Sequence, residues 1–164
     1  MNKKTVKRSG KRKGTVVAVS GGFDPLHIGH IRYIQEAKKL GDHLVVILNN
    51  DHWLRAKKGY SFMSENDRKE ILESLSVVDE VILSGHTPND SDRSVCRELK
   101  RIRPHVFANG GDRTLIDAKK KTSSLNPEVG VCKELGIAVV YNVGKGGKVR
   151  SSSELVVAFK KYER

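Results

Sequence analysis

Cysteine is nearly absent from this chain. Cys96 and Cys132 are its only two, they stand at no metal-ligand spacing, and both fall in stretches with a helical apolar rhythm. They read as reduced core thiols rather than a disulfide, which points to a cytoplasmic setting. Aromatic residues are scarce, at 5% of the chain, and none interleave with lysine and arginine as a base-stacking platform requires. No apolar run approaches the ~20 residues that span a bilayer, and the basic N-terminus lacks the apolar stretch of a signal peptide. Acid is missing at the start, since none precedes Asp24. A disulfide scaffold, a membrane span and an aromatic nucleic-acid platform are thereby disfavoured.

Positive charge is plentiful. The chain of 164 residues has a formal net charge of +12. Lys3, Lys4, Lys7, Arg8, Lys11, Arg12 and Lys13 supply much of it, and without them the remainder carries +5. Residues 1–14 have no periodicity and dense like charge, so they are expected to form a disordered basic tail. That tail reads either as a solvated leader or as a weak contact for nucleic acid or another polyanion through residues 1–13. Residues 15–164 suit one domain with an adequate core. No internal repeat is visible.

Strand and helix patterns alternate along that domain. Strands are expected near 15–20, 44–48, 81–83, 105–108 and 137–141. The run Leu44-Val45-Val46-Ile47-Leu48 is apolar throughout, as a parallel strand covered on both faces must be. Helices are expected near 28–40, from Ser64, near 91–102, over 126–135 and over 151–160. Five strands alternating with five helices predict an α/β fold, a single Rossmann-like doubly wound domain with a five-stranded parallel sheet. Such folds bind ligands beyond the carboxyl ends of their strands. Four polar segments fall at those ends: 21–30, 49–58, 109–113 and 144–153.

The first of these reads Ser-Gly-Gly-Phe-Asp-Pro-Leu-His-Ile-Gly-His over residues 20–30. It joins a β-branched strand to an amphipathic helix. His27 and His30, three apart, share one face of the first helical turn. Free N–H groups and the helix dipole favour an anion there, so the pattern predicts a phosphate pocket lined by imidazoles.

Gly21, Phe23, Asp24, His27, Gly29 and His30 match Gly-x-Phe-Asp-x-x-His-x-Gly-His, and the segment resembles the signature of the nucleotidylyltransferase superfamily. The resemblance covers residues 15–160. It implies transfer of a nucleoside monophosphate from a nucleoside triphosphate, ATP or CTP, to a phosphorylated small-molecule acceptor, with release of pyrophosphate. It further implies a homodimer, no membrane partner, and Mg²⁺ entering with the triphosphate and keeping several waters. His27 and His30 are assigned to the α-phosphate and the departing oxygen, with Gly21, Gly22, Phe23, Asp24 and Gly29 shaping the nucleotide site around them.

Three more segments extend the match. Lys57-Lys58-Gly59 followed by Met63-Ser64-Glu65-Asn66-Asp67-Arg68 resembles the cytidylyltransferase stretch in which Lys58 approaches the phosphates and Arg68 supports the site. Asn109-Gly110-Gly111-Asp112-Arg113 is similar to a segment of the heptose-1-phosphate adenylyltransferase domain, which assigns Gly111, Asp112 and Arg113 to the nucleotide. Arg150-Ser151-Ser152-Ser153 resembles the family's hydroxyl-rich opening of the final helix. It implies that Ser151, Ser152 and Ser153 hold the β- and γ-phosphates and that Arg150 supports them. The chain departs from many relatives at Gly22, where a hydroxyl residue is common. It departs again at Val156, where the nicotinamide-mononucleotide branch has arginine. Lys145, Lys148 or Arg150 can supply that charge instead. Lys119, Lys120 and Lys121 lie in a polar stretch that reads as a lid or as a solvated loop. The acceptor is left open between a sugar phosphate, a polyol or alcohol phosphate, and the substrates of flavin or coenzyme A synthesis. The rival of another class is a non-catalytic nucleic-acid-binding protein that uses the tail.

Overall fold

The computed structural model describes residues 14–111, 126–144 and 151–160. The elements are β1 (Val16–Gly21), α1 (Ile28–Lys38), β2 (His43–Leu48), α2 (Asp51–Lys58), α3 (Glu65–Glu73) and β3 (Glu80–Leu83) in the first half. The second half holds α4 (Cys96–Ile102), β4 (Val106–Gly110), α5 (Asn126–Leu135), β5 (Ala138–Val143) and α6 (Ser152–Lys160). The strands form one parallel sheet in the order β3-β2-β1-β4-β5. This is a Rossmann-like α/β fold, and the order reverses beside β1, where β2 lies on one flank and β4 on the other.

Alternation along the strands sorts their side chains to two faces. Val17, Val19, Leu44, Val46 and Leu48 pack with Ile34 and Ala37 of α1 and Leu72 of α3. Val16, Ala18, Val45, Ile47 and Phe107 pack with Leu99 and Ile102 of α4 and Cys132 of α5. β1 and β2 are therefore buried on each side, which is why their runs carry no polar alternation. The two cysteines are free thiols, and burial pushes Cys132 up to about 11.

Helix ends follow their local chemistry. Ser64 Oγ accepts from the Asp67 N–H to begin α3. Gly136 adopts a left-handed φ of 70° after α5, and Ile137 N–H returns to the Cys132 carbonyl at 2.8 Å, the six-to-one bond of a Schellman close.

Two expectations are corrected. The segment after β2 is a helix, α2, and not a loop, so the described residues hold six helices where five were expected. It is short and polar, with Leu54 its one buried residue. The helix expected over 91–102 spans only Cys96–Ile102, because side-chain turns such as Asp92 Oδ1 accepting from Ser94 N–H hold the chain before it. The expectations placed on residues 1–13, on Asp112, Arg113 and Lys119 to Lys121, and on Lys145, Lys148 and Arg150 lie outside the described residues.

Candidate active site

Each motif of the described chain meets at the carboxyl edge of the sheet. β1 ends at Gly21, and the chain turns through Gly22 to Pro25 into α1. His27 is the N-cap of α1 rather than a first-turn residue. Its Nδ1 accepts from the Gly29 N–H at 3.1 Å, and His30 Nδ1 accepts from the His27 N–H at 3.3 Å. This is a capping box built from two imidazoles in place of hydroxyl and carboxylate. With Nδ1 an acceptor in both rings, each neutral imidazole carries its proton on Nε2. The rings stack with centroids 3.8 Å apart and planes 22° from parallel.

Burial holds His30 neutral, pushing it down to about 3, with lesser repulsion from His27 and Lys58. His30 is thus a neutral N–H donor at a positive helix end, not a cation. Gly29 is required by space: a Cβ there would lie 2.9 Å from His27 Cε1. Phe23 lies beneath, edge-on to His30 with centroids 5.1 Å apart.

Lys58 closes the site from the β2 side. It is the last residue of α2, and its Nζ donates to the Asp24 carbonyl at 3.3 Å. Burial lowers its pKa, while Asp24 acts in the opposite direction and Arg68 adds to the lowering. The α2 helix is placed by Asn50, whose Oδ1 caps it by accepting from the Trp53 N–H. Asn50 Nδ2 donates to the carbonyls of Ser84 and His86, and its N–H reaches Ser84 Oγ. The end of β3 and the base of α2 are thereby joined through buried polar bonds.

Arg68 is 1% exposed, and its guanidinium is shared among four acceptors. It donates to the carbonyls of Gly22, Asn49 and Met63 and to Asp51 Oδ1, at 2.7 to 3.1 Å. These bonds hold the glycine turn, β2, α2 and the loop before α3 in one frame.

Phe23 and Asp24, expected among the nucleotide-binding residues, are buried and engaged elsewhere. Phe23 is 2% exposed and Asp24 is 1% exposed. Both carboxylate oxygens of Asp24 accept backbone N–H groups, from Phe62 and Met63, at 2.7 Å each. A carboxylate so satisfied tethers the loop before α3 to the turn after β1.

The final helix reaches the same turn. Ser152 Oγ donates to the Pro25 carbonyl at 3.0 Å. Ser151 caps α6 by accepting from the Glu154 N–H, and the Glu154 carboxylate returns to the Ser151 N–H. Ser153 is exposed. Gly111, just past β4, has a φ of 69° and open space where a side chain would stand.

Sequence reasoning missed Asn50, Ser84, His86 and Tyr33. An Asn before Asp51 and a Gly after two lysines were the only signals for α2 and its cap.

Among the described residues no three His, Cys, Asp or Glu side chains converge on a metal position. The imidazole, ammonium and hydroxyl donors fit an anion, and they fit a divalent ion only as one carried by the oxygens of a phosphate chain. No helix among the described residues is long and apolar enough to cross a membrane.

A 3-2-1-4-5 parallel sheet with a histidine-capped helix at its reversal point defines a Rossmann-like nucleotidyltransferase domain. A family model described as cytidylyltransferase-like matches residues 18–155, and the chain belongs to that family. It is similar to the FAD synthase of Thermococcus kodakarensis, 42% identical over 104 residues, covering 63% of this chain and 66% of that one. It is also similar to the bifunctional protein HldE of Syntrophotalea carbinolica, 41% identical over 107 residues, covering 63% of this chain and 21% of that one. The chain thus spans about two thirds of the first relative and about a fifth of the second. Among solved structures it resembles the lipopolysaccharide core biosynthesis protein from Thermoplasma volcanium. That likeness has 31% identity and a TM-score of 0.58, and covers 79% of this chain and 95% of that one.

Proposed function

We propose that this chain transfers a nucleoside monophosphate from a nucleoside triphosphate to the phosphate of a small acceptor, releasing pyrophosphate. The stacked His27–His30 pair, with both Nδ1 atoms occupied by backbone N–H groups, carries the reading. An acceptor phosphate oxygen attacks the α-phosphorus in line. The new P–O bond forms as the bond to the bridging oxygen breaks, and pyrophosphate leaves with the electron pair. The acceptor is already anionic near neutral pH, so no base is required and the protein's contribution is position and charge stabilisation.

Nε2–H donors at the helix N-terminus hold the α-phosphate oxygens without adding a proton to be lost. Lys58, on the flank toward β2, follows the charge that develops there. Ser153 would hold the leaving pyrophosphate at the head of α6, together with the N–H groups of that helix end, and Ser152 joins them once its hydroxyl turns from the Pro25 carbonyl. Mg²⁺, when bound with the triphosphate, neutralises its charge. FAD synthase, by its name, makes an adenine dinucleotide, which favours ATP as donor and a flavin phosphate as one acceptor. The likeness to HldE keeps a sugar phosphate as the other. A homodimer is the assembly to test, by sedimentation.

The deciding experiment is pyrophosphate release with Mg²⁺, crossing ATP, CTP, GTP and UTP with FMN, heptose 1-phosphate, glycerol 3-phosphate, phosphocholine, phosphoethanolamine and phosphopantetheine. Release that depends on one acceptor and one triphosphate supports the reading and selects the branch. Absence of triphosphate binding together with silence across the panel overturns it in favour of a non-catalytic, tail-mediated role.

A further inference from the structure

Tyr33 stands one helical turn after His30 on α1, and nothing in the phosphate chemistry uses it. Its hydroxyl donates to the Ala108 carbonyl in β4 at 2.6 Å. Its ring fills the space beside Gly110, where a Cβ would lie 2.6 Å from the Tyr33 ring. The backbone of Tyr33 also approaches Gly144 after β5, where a Cβ would lie 3.6 Å from the Tyr33 Cα.

The strands are irregular at this level. Ala108 pairs with Val140 and Gly110 with Val143, so β5 carries one residue more than β4 across the same interval. Asn142, within that interval, takes a left-handed φ of 54°. Bulges of this kind bend a strand and re-aim the residues beyond the bend, and they recur beside active sites. Here the bent ends deliver Gly111 and Gly144 to the β4–β5 flank of the reversal point, the flank opposite Lys58. Among the described residues, none comes within 4 Å of where a Cβ on Gly111 would stand.

We propose that Tyr33 is a positioning residue for the nucleoside part of the triphosphate. It locks the bulged ends of β4 and β5 to the helix that carries His27 and His30, and so fixes the distance between the nucleoside flank and the α-phosphate. It touches no reacting atom. The inference rests on the nucleotidyl-transfer reading for its ligand, and its test therefore includes triphosphate binding measured without an acceptor.

The test compares wild type with Tyr33→Phe and Tyr33→Ala, each checked by circular dichroism and thermal melting. Titration calorimetry with the triphosphate alone gives Kd, and steady-state kinetics give KM for each substrate. Tyr33→Phe keeps the ring against Gly110 and loses one hydrogen bond, so Kd and KM for the triphosphate are expected to rise about threefold. Tyr33→Ala loses the ring as well and is expected to raise them about tenfold or more. KM for the acceptor is expected to stay within about twofold in both, since Tyr33 is proposed to position only the triphosphate. A folded Tyr33→Ala with unchanged triphosphate affinity overturns the proposal. Equal rises in both KM values, in step with a lower melting temperature, overturn it too, since they mark a merely structural residue. Should Tyr33→Ala not fold, Tyr33→Phe decides alone: unchanged triphosphate affinity overturns the proposal. If no acceptor supports turnover, the transfer reading fails while the calorimetric comparison still judges Tyr33.

Discussion

At the scale of single residues, the site is defined by what each polar group has already spent. His27 and His30 have committed Nδ1 to the backbone, which leaves their chemistry on Nε2. Replacing His30 with Ala is expected to lower turnover about 10²–10³-fold with the fold retained, the loss seen when one preorganised donor is removed; a pyrophosphate-release assay checks it. The same residue gives stability a pH dependence. Its folded-state pKa lies near 3 against 6.5 when unfolded, so between those values the unfolded chain binds a proton that the folded chain refuses. Stability should therefore be fully expressed above about pH 6.5 and fall as pH drops toward 3. Denaturant melts across that window should show a steeper slope for wild type than for His30→Gln. Arg68 is the opposite kind of residue, a buried cation with four of its five N–H donors bonded to acceptors within the protein. Arg68→Met leaves three carbonyls and Asp51 without their donor and is expected to cost about 3–5 kcal/mol, read as a lower urea midpoint.

At the scale of elements, placement of the site depends on helix ends. The α1 cap is made by His27, a side chain we propose as catalytic, so on that reading its geometry and the chemistry are one object. Gly29→Ala puts a Cβ 2.9 Å from the His27 ring. It is expected to reduce turnover about 10- to 100-fold, as small misplacements of a catalytic group do, while shifting the melting temperature little. A comparison of kcat with melting temperature checks this. α2 is held by Asn50, and Asn50→Ala removes a cap and two bonds to buried carbonyls. The expected loss is about 1–3 kcal/mol, measured by denaturant titration. Elements were unevenly legible in the sequence. β1 and β2 stood out because both faces are buried and their runs are largely apolar, Leu44 to Leu48 above all, whereas the edge strands β3 and β5, only partly buried, showed as short β-branched runs. α2 did not stand out, since it is short and polar, with one buried residue. α4 was over-extended because Val95 continues its apolar rhythm although the backbone has not yet turned helical at that point. Within the site, the glycines, histidines, Lys58 and serines could be placed on strand ends by spacing alone. The burial of Asp24, the fourfold sharing of Arg68 and the reach of Tyr33 could not, because each depends on a partner tens of residues away.

At the scale of the whole molecule, charge and chemistry are separated along the chain. The seven basic residues of positions 1–13 precede the family match, which begins at residue 18. Deleting residues 1–13 should leave triphosphate affinity within about twofold and weaken heparin or nucleic-acid binding strongly, with a shallower salt dependence. Filter binding at two ionic strengths checks both. The strand order has a different consequence, for synthesis. β1 leaves the ribosome before every other strand, yet Val17 pairs with Val106 on its β4 side. While residues up to about 105 are being made, β1 can pair only with β2, and one edge of the future sheet's centre stays open. An uncovered, wholly apolar parallel edge is a template for unwanted pairing. The strand on which the active site is built is thus the one most exposed to nascent-chain aggregation, and the second half of the chain completes the fold chiefly by shielding it.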